Sequence, residues 1–327
     1  MSSIPSSRYL FYPITWYSFL IVTGVLIAVI LACREEKRAG LPKDTVIDLT
    51  LLLLPCGIIG ARLYYVVFSW PQFSGDFLSV FRIWEGGLAI YGGVIGGFLA
   101  VLFFSRRRRL PLLLLCDMIV PGLVLAQALG RWGNWFNIEA YGRTVTDPAL
   151  CFFPFSLQVP DDGYAWHLAT FFYESFWNIC VFLFLCFFRR KYARRIGDVF
   201  CCYLLLYASG RLVIEELRLD SLYASSSVRV SQLLSVLICL GVLLRYVFLF
   251  RGSGSLPRRL RLCILPPAGA AVVFALLYAL CGSIFAAWPV TGVILSLSLC
   301  ALVFIGALFF LHHALPAPEV SHADNET

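Results

Sequence analysis

Residues 46–68 read VIDLTLLLLPCGIIGARLYYVVF, an apolar run from Val46 to Phe68. Its apolar side chains follow one another continuously, without the alternation of a strand in a closed barrel. About 18 or more such residues make a helix long enough to span a bilayer. Comparable runs recur at 14–33, 87–105, 112–129, 166–188, 199–215, 230–250, 262–285 and 288–312. The chain of 327 residues is 60% hydrophobic and 14% charged. A soluble domain is about a quarter charged, and a soluble fold of this composition has no core large enough for its apolar surface. The expected fold is therefore all-α, a polytopic bundle of transmembrane helices.

The loops set the expected orientation. Arg34, Lys37, Arg38 and Lys43 follow the first run, Arg106 to Arg109 the third, Arg189 to Arg195 the fifth, and Arg251 to Arg261 the seventh. Every second loop is basic, which marks those loops as cytoplasmic. The N-terminus then lies outside, and the acidic tail with Glu319, Asp324 and Glu326 lies inside. The net charge of +7 is thereby accounted for without nucleic acid. The 12 cysteines are scattered through apolar runs and form no CxxC pair, so neither a metal site nor a disulfide framework is expected.

Against this background, arginines on the outer side stand out: Arg62, Arg82, Arg131, Arg143, Arg211, Arg218 and Arg229. Guanidinium at membrane depth is costly and needs a partner or a task. The segment Gly130-Arg-Trp-Gly-Asn-Trp-Phe-Asn-Ile-Glu-Ala-Tyr-Gly142-Arg143 starts at the outer end of the fourth run. Its arginines offer donor forks suited to phosphate oxygens. Asn134 and Asn137 suit glycerol hydroxyls or a tight turn, and Glu139 suits either an arginine or a proton. The alternative is an interfacial loop held by Arg–Glu pairing. In Tyr207-Ala-Ser-Gly-Arg211-Leu-Val-Ile-Glu215-Glu-Leu-Arg218, Arg211 and Glu215 share a helical face with Tyr207. That stripe is either a site or a structural ion pair. Gly92/Gly96 and Gly93/Gly97 are spaced for close helix packing. Tyr173-Glu174 puts a carboxylate in the fifth run, more structural than catalytic by itself, and Asp117 opens the fourth.

Taken together these segments resemble the prolipoprotein diacylglyceryl transferases. Gly-Arg-x-Gly-Asn-x-x-Asn-x-Glu-x-x-Gly, present from Gly130 to Gly142, is similar to that family's signature. Trp84–Gly93 and Gly210–Glu215 with Arg218, Asp220-Ser221-Leu222 and Ser231-Gln232 also fit. The resemblance covers roughly residues 10 to 250. It implies a seven-span core over 1–251; the apolar runs 262–285 and 288–312 have no place in that core, so 252–327 is expected to be an extension carrying two further spans and a short cytoplasmic tail.

The resemblance also implies an activity. The sn-1,2-diacylglyceryl group passes from phosphatidylglycerol to the lipobox cysteine of a prolipoprotein signal peptide. Glycerol-1-phosphate leaves and a thioether forms, with no cofactor and no metal. The reaction belongs to the outer face of the bacterial cytoplasmic (inner) membrane. Arg131 and Arg211 are expected to clamp the phosphate. Tyr91 stands where some members carry a histidine, and is expected in the site. Asn134, Asn137, Glu139, Gly142, Tyr17, Tyr207, Glu215 and Arg218 are expected to line it. The family's His-Pro-Thr stretch is altered here to His167-Leu168-Ala169-Thr170, so His167 receives no catalytic role. A transporter with charges at several depths and a metal-dependent phosphotransferase are the competing classes. The clustering of arginines toward one face and the lack of an aspartate-rich motif weigh against them.

Overall fold

The structure is a computed structural model that describes residues 4–5, 7–193, 195–219 and 229–252. The eighth and ninth expected spans, the extension past Gly252 and Asp220-Ser221-Leu222 lie outside the described residues. Seven α-helices account for most of the described chain: α1 Trp16–Arg38, α2 Thr45–Phe68, α3 Ile90–Arg108, α4 Leu112–Asn137, α5 Thr170–Lys191, α6 Asp198–Leu217 and α7 Val230–Gly252. Among the described residues, the five helices α1 to α5 are long and apolar enough to cross a membrane. Helix α6 occupies the place of the sixth expected span but carries Asp198, Arg211, Glu215 and Glu216. Val230–Val242 of α7 is a shorter apolar stretch.

Three features differ from the sequence reading. The fold is not purely helical, because two antiparallel hairpins occur: β1 Tyr9–Phe11 with β2 Ile14–Thr15, and β3 Ser156–Val159 with β4 Ala165–Leu168. Residues 166–168, expected to open a span, are strand, because Leu168 and His167 pair with Ser156 and Leu157. Helix α4 continues through Gly130 to Asn137, where a loop was expected. Two glycines there oppose helix by intrinsic propensity, but tertiary packing overrides it. Trp132 packs edge-on against Phe171, Trp135 lies tilted against Phe153, and Phe136 stacks on Trp16 with ring centroids 4.9 Å apart. Gly133 is obligatory for this, since a Cβ there would run into the Tyr17 ring.

The chain divides into two compact units, and the division falls within α1 and α4. One unit is Leu26–Gly122. Its core pairing is α2 against α3, through glycine. A Cβ on Gly60 would meet the Gly96 Cα at 3.0 Å, and Gly92 lies against the Gly60 carbonyl. Gly93 also faces α2, where a Cβ would lie 3.7 Å from the Gly57 carbonyl and the Ala61 Cβ, whereas Gly97 has nothing within 4 Å among the described residues. The start of α2 is capped from α1: the Asp44 and Val46 backbone N–H groups donate to the Glu36 carboxylate at 3.1 and 2.6 Å. Orphan N–H groups at a helix start are stabilised by such a carboxylate.

The other unit holds the described residues before Leu26 and after Gly122. Helix α6 is its most enclosed element and packs on both α5 and α7. The long connection from α4 to α5 is folded. Leu157, Val159, Ala169 and Phe171 form a buried cluster beneath it, with Trp132, Trp135 and Tyr141 packed on them.

Candidate active site

The second unit contains a chain of ion pairs around buried glutamates, built where α4 and α6 end and α5 begins. On α6, Arg211 and Glu215 are one turn apart, and Arg211 Nη2 donates to Glu215 Oε2 at 2.6 Å. This is the pairing that their spacing predicts. The unexpected partner is Glu174, in the first turns of α5, whose side chain is only 5% exposed. Arg211 Nη1 donates to its Oε1. Arg131 Nε, from the last turns of α4, pairs with its Oε2. Arg218 Nη1 lies 3.7 Å from Oε1. One carboxylate therefore gathers three guanidinium groups. A buried carboxylate or guanidinium without a partner costs several kcal/mol, about 3–5 when one member of a pair is removed, so the arrangement is mutually enforced.

A second carboxylate extends the chain. Glu216 lies 3.4 Å from Arg229 Nη1 and 4.0 Å from Arg143 Nη2, and accepts from Gln232 Nε2. Arg229 also donates to the Glu215 backbone carbonyl. Among the described residues, the linked cluster joins five arginines to three glutamates.

The segment after α4 turns sharply. Ile138 and Ala140 have φ of 52° and 55°, a left-handed conformation that a β-branched side chain rarely adopts. It is held from several sides. The Glu139 N–H donates to the Asn134 carbonyl at 3.0 Å, and Thr170 Oγ1 donates to the Ala140 carbonyl. Gly142 N–H then donates to the Leu168 carbonyl at 2.8 Å and Arg143 N–H to the Leu217 carbonyl at 3.0 Å. The chain at Gly142 thus threads between β4 and the end of α6. A Cβ there would meet the Leu217 carbonyl oxygen at 2.6 Å and the Leu168 Cβ at 2.9 Å. Both are held atoms, so Gly142→Ala must push the end of α6 away. Overpacking of this kind costs about 1–3 kcal/mol. We expect Gly142→Ala to lower both the melting temperature and the activity; a variant with wild-type melting and turnover would show that the segment has room to spare.

The other expected residues are placed as follows. Tyr17 packs on Gly133 and lies within electrostatic reach of Arg131 and Glu139. Tyr207 stacks on Tyr203 and lies within electrostatic reach of Arg211. Asn137 Nδ2 donates to the exposed Glu139 Oε1 at 3.1 Å, while its Oδ1 is buried and has no hydrogen-bond partner among the described residues. Asn134 is half-buried in the last turn of α4. Arg131, Arg211, Arg218, Glu215, Tyr17, Tyr207, Asn134, Asn137, Glu139 and Gly142 therefore all belong to one unit. Tyr91 belongs to the other, in the first turn of α3, half-buried with its ring centroid 6.3 Å from that of Tyr64. His167 is buried, with Nδ1 2.9 Å from the Gly142 carbonyl and Nε2 2.8 Å from the Asp162 carboxylate. Both ring nitrogens are engaged in holding the hairpin.

Sequence reasoning passed over Glu174 as a structural residue and did not link Glu216, Arg143, Arg229 and Gln232. A carboxylate inside an apolar run was the available signal for Glu174. It is the counterpart of Arg211 in the same argument about membrane-depth charge.

Apolar helices long enough to cross a membrane, together with a partly buried cluster of arginines paired to glutamates, define a polytopic membrane protein with a charged cluster inside one of its units. Residues 7–248 match the family model described as prolipoprotein diacylglyceryl transferase. The chain belongs to that family, as its 130–142 signature indicated. It is 45% identical over 230 residues to the phosphatidylglycerol–prolipoprotein diacylglyceryl transferase of Enterococcus faecalis, across 69% of this chain and 83% of that one. A relative of the same name from Halalkalibacterium halodurans is 42% identical over 241 residues, across 71% of this chain and 81% of its own. One from Streptococcus suis is 42% identical over 249 residues, across 75% and 91%.

Proposed function

We infer that this protein transfers the sn-1,2-diacylglyceryl group of phosphatidylglycerol to the cysteine thiol of a prolipoprotein, the first step of lipoprotein maturation. Its membership of the family and the names of its relatives support the activity. The finer reading follows from chemistry. A carbon–sulfur bond forms between the lipobox cysteine of the signal peptide and the glycerol carbon. The carbon–oxygen bond to phosphate breaks, and glycerol-1-phosphate leaves with the electron pair. The enzyme must hold the negative charge of that phosphate and accept the thiol proton. None of its own cysteines is required.

The observation that carries the site assignment is the convergence of Arg131, Arg211 and Arg218 on Glu174. Carboxylates engage Nε of Arg131 and both Nη1 and Nη2 of Arg211, and the N–H donors that remain on the two guanidinium groups are suited to phosphate oxygens. Asn134 and Asn137 offer amide groups to the glycerol hydroxyls; Asn137 Oδ1, buried without a hydrogen-bond partner among the described residues, is suited to a hydroxyl donor. Glu215 is engaged by Arg211 and serves to orient it. Glu139, exposed at the same turn, is better placed to take a proton. Tyr91 is a further site residue in this reading. Seven spans form the core, including the charged α6 and α7. The arginine cluster faces the extracytoplasmic side of the bacterial cytoplasmic membrane, as the alternation of basic loops requires.

The test is direct. The purified full chain, given phosphatidylglycerol and a lipobox peptide, should raise the peptide mass by one diacylglyceryl group. Tyr91→Phe in the same assay should slow the reaction strongly. An unmodified peptide would overturn the activity, and full turnover by Tyr91→Phe would reduce that phenol to packing.

A further inference from the structure

The Leu26–Gly122 unit contains a buried arginine of its own. Arg62 lies in the last turns of α2 and is 7% exposed. A guanidinium has five N–H donors, and all five are directed at backbone. Nε donates to the Val80 carbonyl at 2.8 Å. Nη1 donates to those of Gly86 and Gly87 at 2.6 and 3.0 Å. Nη2 donates to those of Ser79 and Arg82 at 2.6 and 3.3 Å. The Phe73 ring lies against the guanidinium, 5.1 Å from its centroid to Cζ. Among the described residues no carboxylate pairs with Arg62.

This geometry has a consequence for side chains. The connection between α2 and α3 is three short 3-10 turns, too irregular to satisfy its own carbonyls. Five of those carbonyls turn inward onto one cation. The neighbouring side chains are turned outward. Phe77, Leu78, Phe81 and Trp84 are 65%, 67%, 64% and 77% exposed. Four large apolar groups displayed together on a loop are costly in water. They are stable at the boundary of headgroups and acyl chains, where Trp and other amphipathic aromatics concentrate. Depth is set by the helices on either side: α2 ends at Phe68 and α3 starts at Ile90, and both are long and apolar enough to cross a membrane. The loop joining them must lie at the bilayer surface.

We propose that Arg62 is a backbone lock that folds residues 69–89 into a ledge, and that the ledge is seated in the lipid interface through Phe77, Leu78, Phe81 and Trp84. The partner is the bilayer surface itself. The inference does not depend on the transfer activity.

Lipid contact and the lock are tested separately. A photoreactive phenylalanine analogue is placed at position 81 or 84 of the full chain, in bilayer discs of phosphatidylglycerol. On illumination both positions should give phospholipid adducts by mass spectrometry. Adducts to a second copy of the chain, or only to water, would overturn the lipid seat. Arg62→Lys in the same probe background keeps the charge but cannot reach five carbonyls from one nitrogen. Most of the lipid adduct should be lost, and a new protease cut should appear within residues 73–88. Undiminished adduct with no new cut would overturn the lock. If Arg62→Lys is not recovered in the membrane, Gly87→Ala probes the same contact from the loop side. Its φ is +72° and its Cβ would lie 2.7 Å from Arg62 Nη1. The same loss of adduct is expected, and wild-type behaviour would again refute the lock.

Discussion

Glu174→Ala is expected to abolish diacylglyceryl transfer and to destabilise the unit that contains it. Its carboxylate is bound by Arg131 and Arg211 and lies 3.7 Å from Arg218. Without it, three like charges remain side by side in an enclosed environment. Removing one member of such a buried set costs about 3–5 kcal/mol, a large share of a domain's total stability. Glu174→Gln separates charge from volume. It fills the same space and still accepts a hydrogen bond, yet it cannot neutralise the arginines. We expect Glu174→Gln to be recovered in membranes but to turn over far more slowly than wild type. Full turnover of a lipobox peptide by Glu174→Gln would show that the arginines need no counter-charge to stay in position.

The second large effect is expected at the arginines. Arg131→Ala or Arg211→Ala should each reduce turnover by roughly 10²–10³-fold, the range for loss of one positioned donor to a developing negative charge. Arg211→Lys should not restore it. A single ammonium cannot hold Glu174 and Glu215 and still present a fork to phosphate. The two arginines bind opposite oxygens of one carboxylate, so their effects should not add. The double variant should lose less than the product of the single losses, as for residues that act through a shared partner. Strictly multiplicative losses would mean that Arg131 and Arg211 work at independent sites. Unchanged turnover in Arg131→Ala would remove that residue from the phosphate clamp.

Much of this protein was legible in the linear chain, for identifiable reasons. Membrane spans are a property of local composition, because each helix must satisfy its own backbone within lipid. The helices α1 to α5 accordingly fall within a few residues of the expected runs at most ends. The Arg211–Glu215 pair was legible because four residues is one helical turn. The start of α5 and the end of α4 were misjudged for the opposite reason. Whether His167 and Leu168 are strand, and whether Gly130 to Asn137 are helix, depends on partners far along the chain. Those partners are Ser156, Leu157 and a set of aromatic rings.

The run from Val46 to Phe68 shows the same limit. Its 23 residues determined by themselves that a helix crosses the membrane and that Arg62 needs a reason to be there. They could not say which reason. Only the tertiary structure decided that Arg62 collects five carbonyls from residues 79–87, whereas Arg131 and Arg211 meet at Glu174. Arginine is one residue type with one cost of burial. Its role is set by whichever acceptors the fold brings to it, and those lie 17 to 25 residues from Arg62 and 37 from Arg211. Hydropathy is written locally and survives reading one window at a time. The pairing of buried charges is a long-range choice, made when the helices pack.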